Sequence, residues 1–240
     1  MTLLLLAGTR EARDIARVLD REGIPAVGSL AGVTRAPEQL ALPMRMGGFG
    51  GATGFIDYVT ANNISAVLDA THPFAAEITD RTAKLCAERR IPYCQFLRPP
   101  WPLQAGWLPL AREEDLASHV APGETVFLAT GRQNLTRFAN LARAHVICRQ
   151  IEPPDGPFPF PNGRFHIARP PFSQADETRL FQDLGVDWLV AKNAGGATSR
   201  SKLDAASELG LKVALIDRPP SPEGTKAETI EACLDWVRAL

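Results

Sequence analysis

The 240-residue sequence has no long apolar run, no paired cysteine motif and no block of like charge. Its apolar start, M-T-L-L-L-L-A-G-T-R, turns polar within a few residues, far short of the roughly 20 that span a bilayer and unlike a secretion signal. A buried first strand accounts for it, and no membrane partner is expected. The 26 basic and 27 acidic side chains nearly cancel, so no global field attracts nucleic acid and anion recognition must come from local clusters. Cys86, Cys94, Cys148 and Cys233 are scattered without a C-x-x-C pair, which argues against a zinc knuckle or disulfide framework and for a reducing, cytoplasmic setting. Histidine is as sparse: His72, His119, His145 and His166 lack helical or hairpin spacing, so no metal is expected. Neither Tyr58 nor Tyr93 has a lysine three or four residues on, which removes the tyrosine–lysine relay of many small-carbonyl reductases.

What is present is alternation. Residues 2–6 read as a strand and 7–10 as a tight turn, after which Ala12, Ile15, Ala16 and Leu19 recur at helical spacing. Strands are then expected at 26–31, 66–68 and 91–96, with helices at 55–62 and 76–89. Residues 36–46 show no clear period. Between 98 and 109, four prolines and the tryptophans Trp101 and Trp107 break the pattern, as a crossing between domains would. The two indoles either pack a hinge or border a ligand cleft. Beyond it, strands are expected at 125–129, 146–148, 165–168, 188–191 and 212–216, with helices at 135–142, 174–184 and 201–209. Residues 153–163 are too rich in proline and glycine to be anything but a loop. Ala227, Ile230, Leu234 and Val237 mark a closing amphipathic helix. Such alternation predicts parallel sheets covered by helices, in two domains, 1–102 and 103–240.

Ligands of such sheets sit where strands end. In V-L-D-A-T-H-P-F-A an apolar run stops at Asp69, Thr71 and His72. Asp69 either caps the following helix through Thr71 or orients His72, and His72 is either a packed residue or a ligand contact or proton relay. The first turn offers Gly8, Thr9 and Arg10: one glycine where the dinucleotide fingerprint has three, with a hydroxyl and a charge in their place. No acid occurs between residues 26 and 37, whereas Arg35 does, which favours a cofactor carrying a 2′-phosphate. Gly47, Gly48, Gly50 and Gly51 around Phe49 leave room for a flat or charged ligand. The second half supplies Arg132 in T-G-R-Q-N-L, Arg149, then Lys192, Asn193, Gly195 and Gly196 at a strand end, and finally Lys202 and Arg218. Lys202 falls in the first turn of a helix, where a cation opposes the dipole and makes more sense reaching for an anion.

Taken in order, A-G-T-R-E-A, G-G-F-G-G, D-A-T-H-P-F-A, T-G-R-Q-N-L, K-N-A-G-G with Lys202, and I-D-R-P resemble the precorrin-6A reductase family of cobalamin biosynthesis across essentially the whole chain. The resemblance implies two Rossmann-like α/β domains with mostly parallel sheets and an intervening active-site cleft. It also implies NADPH-dependent reduction of precorrin-6A to precorrin-6B at the C18=C19 bond. A cobalt-bearing substrate of the anaerobic pathway fits the same motifs. On this reading Gly8, Thr9, Arg10, Arg35, residues 47–51 and Thr71 hold NADPH. Asp69, His72, Arg132, Arg149, Lys192, Asn193, Gly195, Gly196, Lys202 and Arg218 meet the carboxylates of the tetrapyrrole, and His72 is the orienting residue or proton relay. The expected assembly is a monomer or homodimer. The rival from another class is a non-catalytic nucleotide- or tetrapyrrole-binding module.

Overall fold

Four consecutive leucines cannot make a helical stripe, and a strand that buries all four must be covered on both faces, as in a parallel sheet. Leu3–Leu6 does this as β1, with each leucine at most 1% exposed. The computed structural model describes residues 1–32, 39–154 and 156–240. After β1 come α1 (Arg10–Arg21), β2 (Ala26–Leu30), β3 (Met44–Met46), α2 (Gly51–Ala61), β4 (Ala66–Asp69), α3 (Ala76–Arg89) and β5 (Tyr93–Phe96). A second series follows: β6 (Leu108–Leu110), β7 (Thr125–Leu128), β8 (His145–Gln150), β9 (Gly163–Ile167), α4 (Gln174–Leu184), β10 (Trp188–Lys192), α5 (Ser201–Glu208) and β11 (Lys212–Ile216). The chain ends in β12 (Thr225–Ala227) and α6 (Ile230–Arg238).

Two compact units result, Met1–Pro99 with Pro219–Leu240, and Pro100–Arg218. The first sheet runs β12-β5-β4-β1-β2-β3 and the second β6-β11-β10-β7-β8-β9, with every pairing parallel. Counted in chain order, the first sheet runs third, second, first, fourth, fifth, sixth, which is the order of nucleotide-binding α/β folds; the second repeats its first five places once β6, the leading strand of that unit, is set aside at the edge. Alternation along β1 sends Leu3 and Leu5 toward Ile15 and Leu19 of α1 and Val237 of α6, while Leu4 and Leu6 join Phe55 of α2 and Cys86 of α3. In the second unit Phe127, Leu189 and Leu215 pack with Phe181 of α4 and Leu203 of α5.

Four details depart from expectation. The last 22 residues, 219–240, join the first unit and not the second, because β12 pairs with β5, aligning Ala227 with Phe96. Ala227 is therefore a strand residue, and the helix begins only after Thr229, whose hydroxyl accepts from Ala232 N–H. Second, the helix expected at 135–142 is a single 3₁₀ turn, Leu135–Phe138. Asn134 and Asn140 spend their amides on Glu113 Oε1 and the Glu114 carbonyl, an alternative to helical bonding that holds the segment as turns. Third, the proline-rich crossing contains β6, an edge strand where Pro109 costs no ladder bond. Fourth, α2 starts at Gly51, four residues early. It packs so closely on the preceding loop that a side-chain carbon at Gly54 would lie 1.8 Å from the Phe49 carbonyl oxygen. Among the described residues no helix is long and apolar enough to cross a membrane.

Candidate functional site

The strand order puts the loops after β1, β3 and β4, with the end of β2, along one edge of the first sheet. Thr9 caps α1: its hydroxyl accepts from Ala12 N–H at 3.1 Å and donates to the Ala70 carbonyl, just beyond β4, at 2.9 Å. Both capacities of that hydroxyl are thus engaged in joining the two central loops, and the groups left outward at this turn are the Gly8 backbone and Arg10. Gly8 and Arg10 are exposed, and a side-chain carbon at Gly8 would have no neighbour within 4 Å. Arg35 lies outside the described residues.

The loop 47–51 has the same open character. Side-chain carbons at Gly47, Gly48, Gly50 and Gly51 would meet nothing within 4 Å, and Gly50 adopts φ 77°, a left-handed conformation that glycine reaches without strain. Phe49 is not a ligand wall but a plug, 8% exposed and packed edge-on to Phe55 and Tyr58. Over its ring, at 3.9 Å, lies the guanidinium of Arg45, which donates to Ser29 Oγ and to the Gly48 carbonyl, both at 2.9 Å. The sequence reading missed Arg45. Its one signal was a cation placed just before a glycine-rich loop.

Asp69 closes β4 as a buried hub, 1% exposed. One carboxylate oxygen accepts from the Thr71 N–H and hydroxyl (3.0 and 2.7 Å), the other from Thr79 and Tyr93 (2.7 and 3.0 Å). Burial, then this carboxylate, push the Tyr93 phenol far up, so it remains a donor. Asp69 therefore fixes the loop after β4 through Thr71. His72 stands exposed beyond it, with Nδ1 accepting from Phe74 N–H at 3.2 Å. A neutral ring accepting at Nδ1 carries its proton on Nε2.

The edge of the second sheet is charged instead. Glu113, 4% exposed, accepts from Asn134 at 2.7 Å and pairs with Arg137 at 3.1 Å. Burial opposes ionisation, yet these bonds and one from its own backbone hold its carboxyl below the usual range. Lys192, at the end of β10, feels the same cluster: burial and Arg137 lower its pKa while Glu113 raises it. Arg132 is exposed beside them in sequence. Asn193 clamps the backbone of Trp101, accepting its N–H at 2.8 Å and donating to its carbonyl at 3.1 Å. The indole donates to the Gly196 carbonyl at 2.8 Å, and Arg218 donates to the Asn193 carbonyl at 2.7 Å. Gly195 and Gly196, at φ 67° and 80°, let the chain curl round the ring. Lys202 reaches back over the indole, its ammonium 5.6 Å from the centroid and bonded to the Ser199 carbonyl at 2.7 Å. Burial first, and then the charge of Arg149, pull Lys202 down to about 8. Arg149 makes a two-bond pair with Glu177 at 2.7 and 2.9 Å, the two side chains being 10% and 2% exposed. Its charge is matched within the fold, and Phe172 covers its guanidinium at 4.5 Å. The sequence reading gave no role to Trp101 in this clamp, nor to Glu113 or Glu177, whose partners are remote in sequence.

Residues 2–238 match the family model described as Precorrin-6x reductase CbiJ/CobK. The precorrin-6A reductase of Rhodobacter capsulatus is 44% identical over 98% of this chain and 95% of its own length. A cobalt-precorrin-6A reductase of Priestia megaterium is 26% identical over 95% of each. Among solved structures, one titled CobK precorrin-6A reductase superposes with a TM-score of 0.94 at 41% identity, covering 100% of this chain and 96% of that one.

Proposed function

This chain belongs to the precorrin-6x reductase family of cobalamin biosynthesis, and we propose that it reduces precorrin-6A to precorrin-6B across the C18=C19 bond with NADPH as the donor. It is a reductase; the cofactor, the bond and the residue roles are our reading. The observation that carries the cofactor assignment is the first sheet's nucleotide-binding strand order together with an open glycine backbone at both the Gly8 turn and loop 47–51. These residues fit a dinucleotide: the first-turn N–H groups of α1 and Arg10 suit the pyrophosphate, and the 47–51 loop suits the adenosine side. Bound NADPH would supply the hydride, and the protein supplies position and charge.

The substrate's acetate and propionate groups suit the basic edge of the second unit, above all Lys202, Lys192, Arg132 and Arg218. Arg149 serves that edge at second hand, held by Glu177. His72 serves as an orienting residue, its Nε2–H hydrogen-bonding a ligand without surrendering the proton. Relatives named for the cobalt-free substrate are the more similar, 44% against 26% identical, which favours precorrin-6A over its cobalt complex. The four free, buried thiols accord with a cytoplasmic setting. Consumption of NADPH by purified enzyme, in the presence of precorrin-6A and then of its cobalt complex, tests the reading. Turnover that requires precorrin-6A and is much slower with NADH is expected, and equal efficiency with NADH would sink the cofactor assignment.

A further inference from the structure

We propose that Arg45 is the residue that selects the phosphorylated cofactor by binding the 2′-phosphate of its adenosine ribose. The inference rests on the NADPH reading and adds to it a specific residue, one that the sequence pointed away from in favour of Arg35.

The register aligns Leu6 of β1, Ser29 of β2 and Arg45 of β3 across the sheet. Arg45 is therefore beside the end of β2, where the ribose 2′-substituent lies in folds with this strand order. Its side chain is pre-organised. Phe49 supports one face of the guanidinium at 3.9 Å, and bonds to Ser29 Oγ and the Gly48 carbonyl fix its plane. These two bonds use two of the five N–H donors of an arginine. Among the described residues no carboxylate lies within ion-pair distance of Arg45, in contrast to Arg149 and Arg137 in the second unit. Both hydrogen-bond partners are neutral, so the cation is positioned without being neutralised. Phe49 is itself locked by Phe55 and Tyr58, and Gly54 lets α2 close against the loop, so the platform under Arg45 is rigid. A planar cation held in this way suits a dianionic phosphate better than a bare ribose hydroxyl, which gains little from a positive charge.

The test uses direct binding, independent of turnover. Titration calorimetry with 2′,5′-ADP and with 5′-AMP compares ligands that differ by the 2′-phosphate alone, on the wild type, Arg45→Met and Arg45→Lys. Arg45→Met should lose about tenfold or more in affinity for 2′,5′-ADP, the scale of a lost charge-assisted bond, while 5′-AMP changes less than about threefold. Arg45→Lys should recover part of the loss, and thermal melts report whether each variant is folded. A preference for 2′,5′-ADP that survives in a folded Arg45→Met overturns the proposal and leaves the cofactor reading standing. Equal loss for both ligands also overturns it, making Arg45 a support of the loop only. If the wild type itself shows no preference for 2′,5′-ADP, the NADPH reading fails and takes this proposal with it.

Discussion

The two sheets share one strand order and have opposite edges. At the first, the strand-end loops present glycine backbone, and the polar groups beneath it are satisfied internally: Thr9 bonds the Ala70 carbonyl and Asp69 receives four hydrogen bonds. At the second, long charged side chains crowd the strand ends, Arg137 and Arg149 matched by buried carboxylates and Lys202 held over Trp101. On the function proposed above, the same topology would serve two kinds of recognition. Open backbone at a helix start suits phosphates at close range, whereas cationic side chains suit the spread carboxylates of a large ring. The sixth strand differs as well: β12 comes from the end of the chain and β6 from the start of its unit.

The sharpest way to break this contrast is to remove a matched charge from the second unit and a solvent-facing one from the first. Arg149→Met leaves Glu177, 2% exposed, without its partner, and should cost about 3 to 5 kcal/mol of stability in denaturant unfolding. Arg10→Ala, whose side chain is 62% exposed, should cost under about 1 kcal/mol while weakening ligand binding. If Arg149→Met instead unfolds like the wild type and loses substrate affinity, Arg149 belongs with the binding groups.

A smaller effect concerns Lys202. Its pKa is lowered to about 8, so its positive charge is present below that pH and lost above it. Affinity for a carboxylate-bearing substrate should fall as pH rises through about 8, by about tenfold if the charge-assisted bond is lost. Lys202→Arg should keep its affinity through the same range, because guanidinium stays protonated. Substrate binding that is flat with pH in the wild type would remove Lys202 from the contact set.

The smallest expected change is at His72. As an orienting residue, His72→Asn should retain turnover within a few-fold and weaken substrate binding. An essential proton donor would cost at least about a hundredfold in turnover and erase the pH dependence near neutrality.

Much of the fold was legible in local pattern. The leucines of β1 and the helical stripe Ala12, Ile15, Ala16, Leu19 state their structure within twenty residues, and the helix is entered through the Thr9 cap as such a threonine should be. What the sequence hid was pairing at long range. The Asn193 clamp on Trp101 spans 92 residues and the Arg149–Glu177 pair 28, and nothing in the local sequence of either group names its partner. The return of β12 to β5 was hidden for the same reason, since Thr225–Ala227 is too short to show a period. Among candidate site residues, the position of Asp69 and Thr9 at strand ends was legible because strand ends are visible in sequence. Their satisfied, structural geometry was not, because chemistry-bearing residue types look alike whether they face a ligand or a neighbour. Arg45 was overlooked because residues 36–46 carry no periodicity, although β3 places it on the platform that Phe49 provides.

The proposed division of labour between the two edges is tested most directly by hydrogen–deuterium exchange of the whole chain with and without saturating NADP⁺. Slowed exchange is expected at amides within 7–13 and 45–54, at the start of α1 and along the glycine loop, with residues 192–202 unchanged until substrate is added. Protection by NADP⁺ at 131–137 and 192–202, with none at 7–13, would put the cofactor on the second sheet and contradict that division.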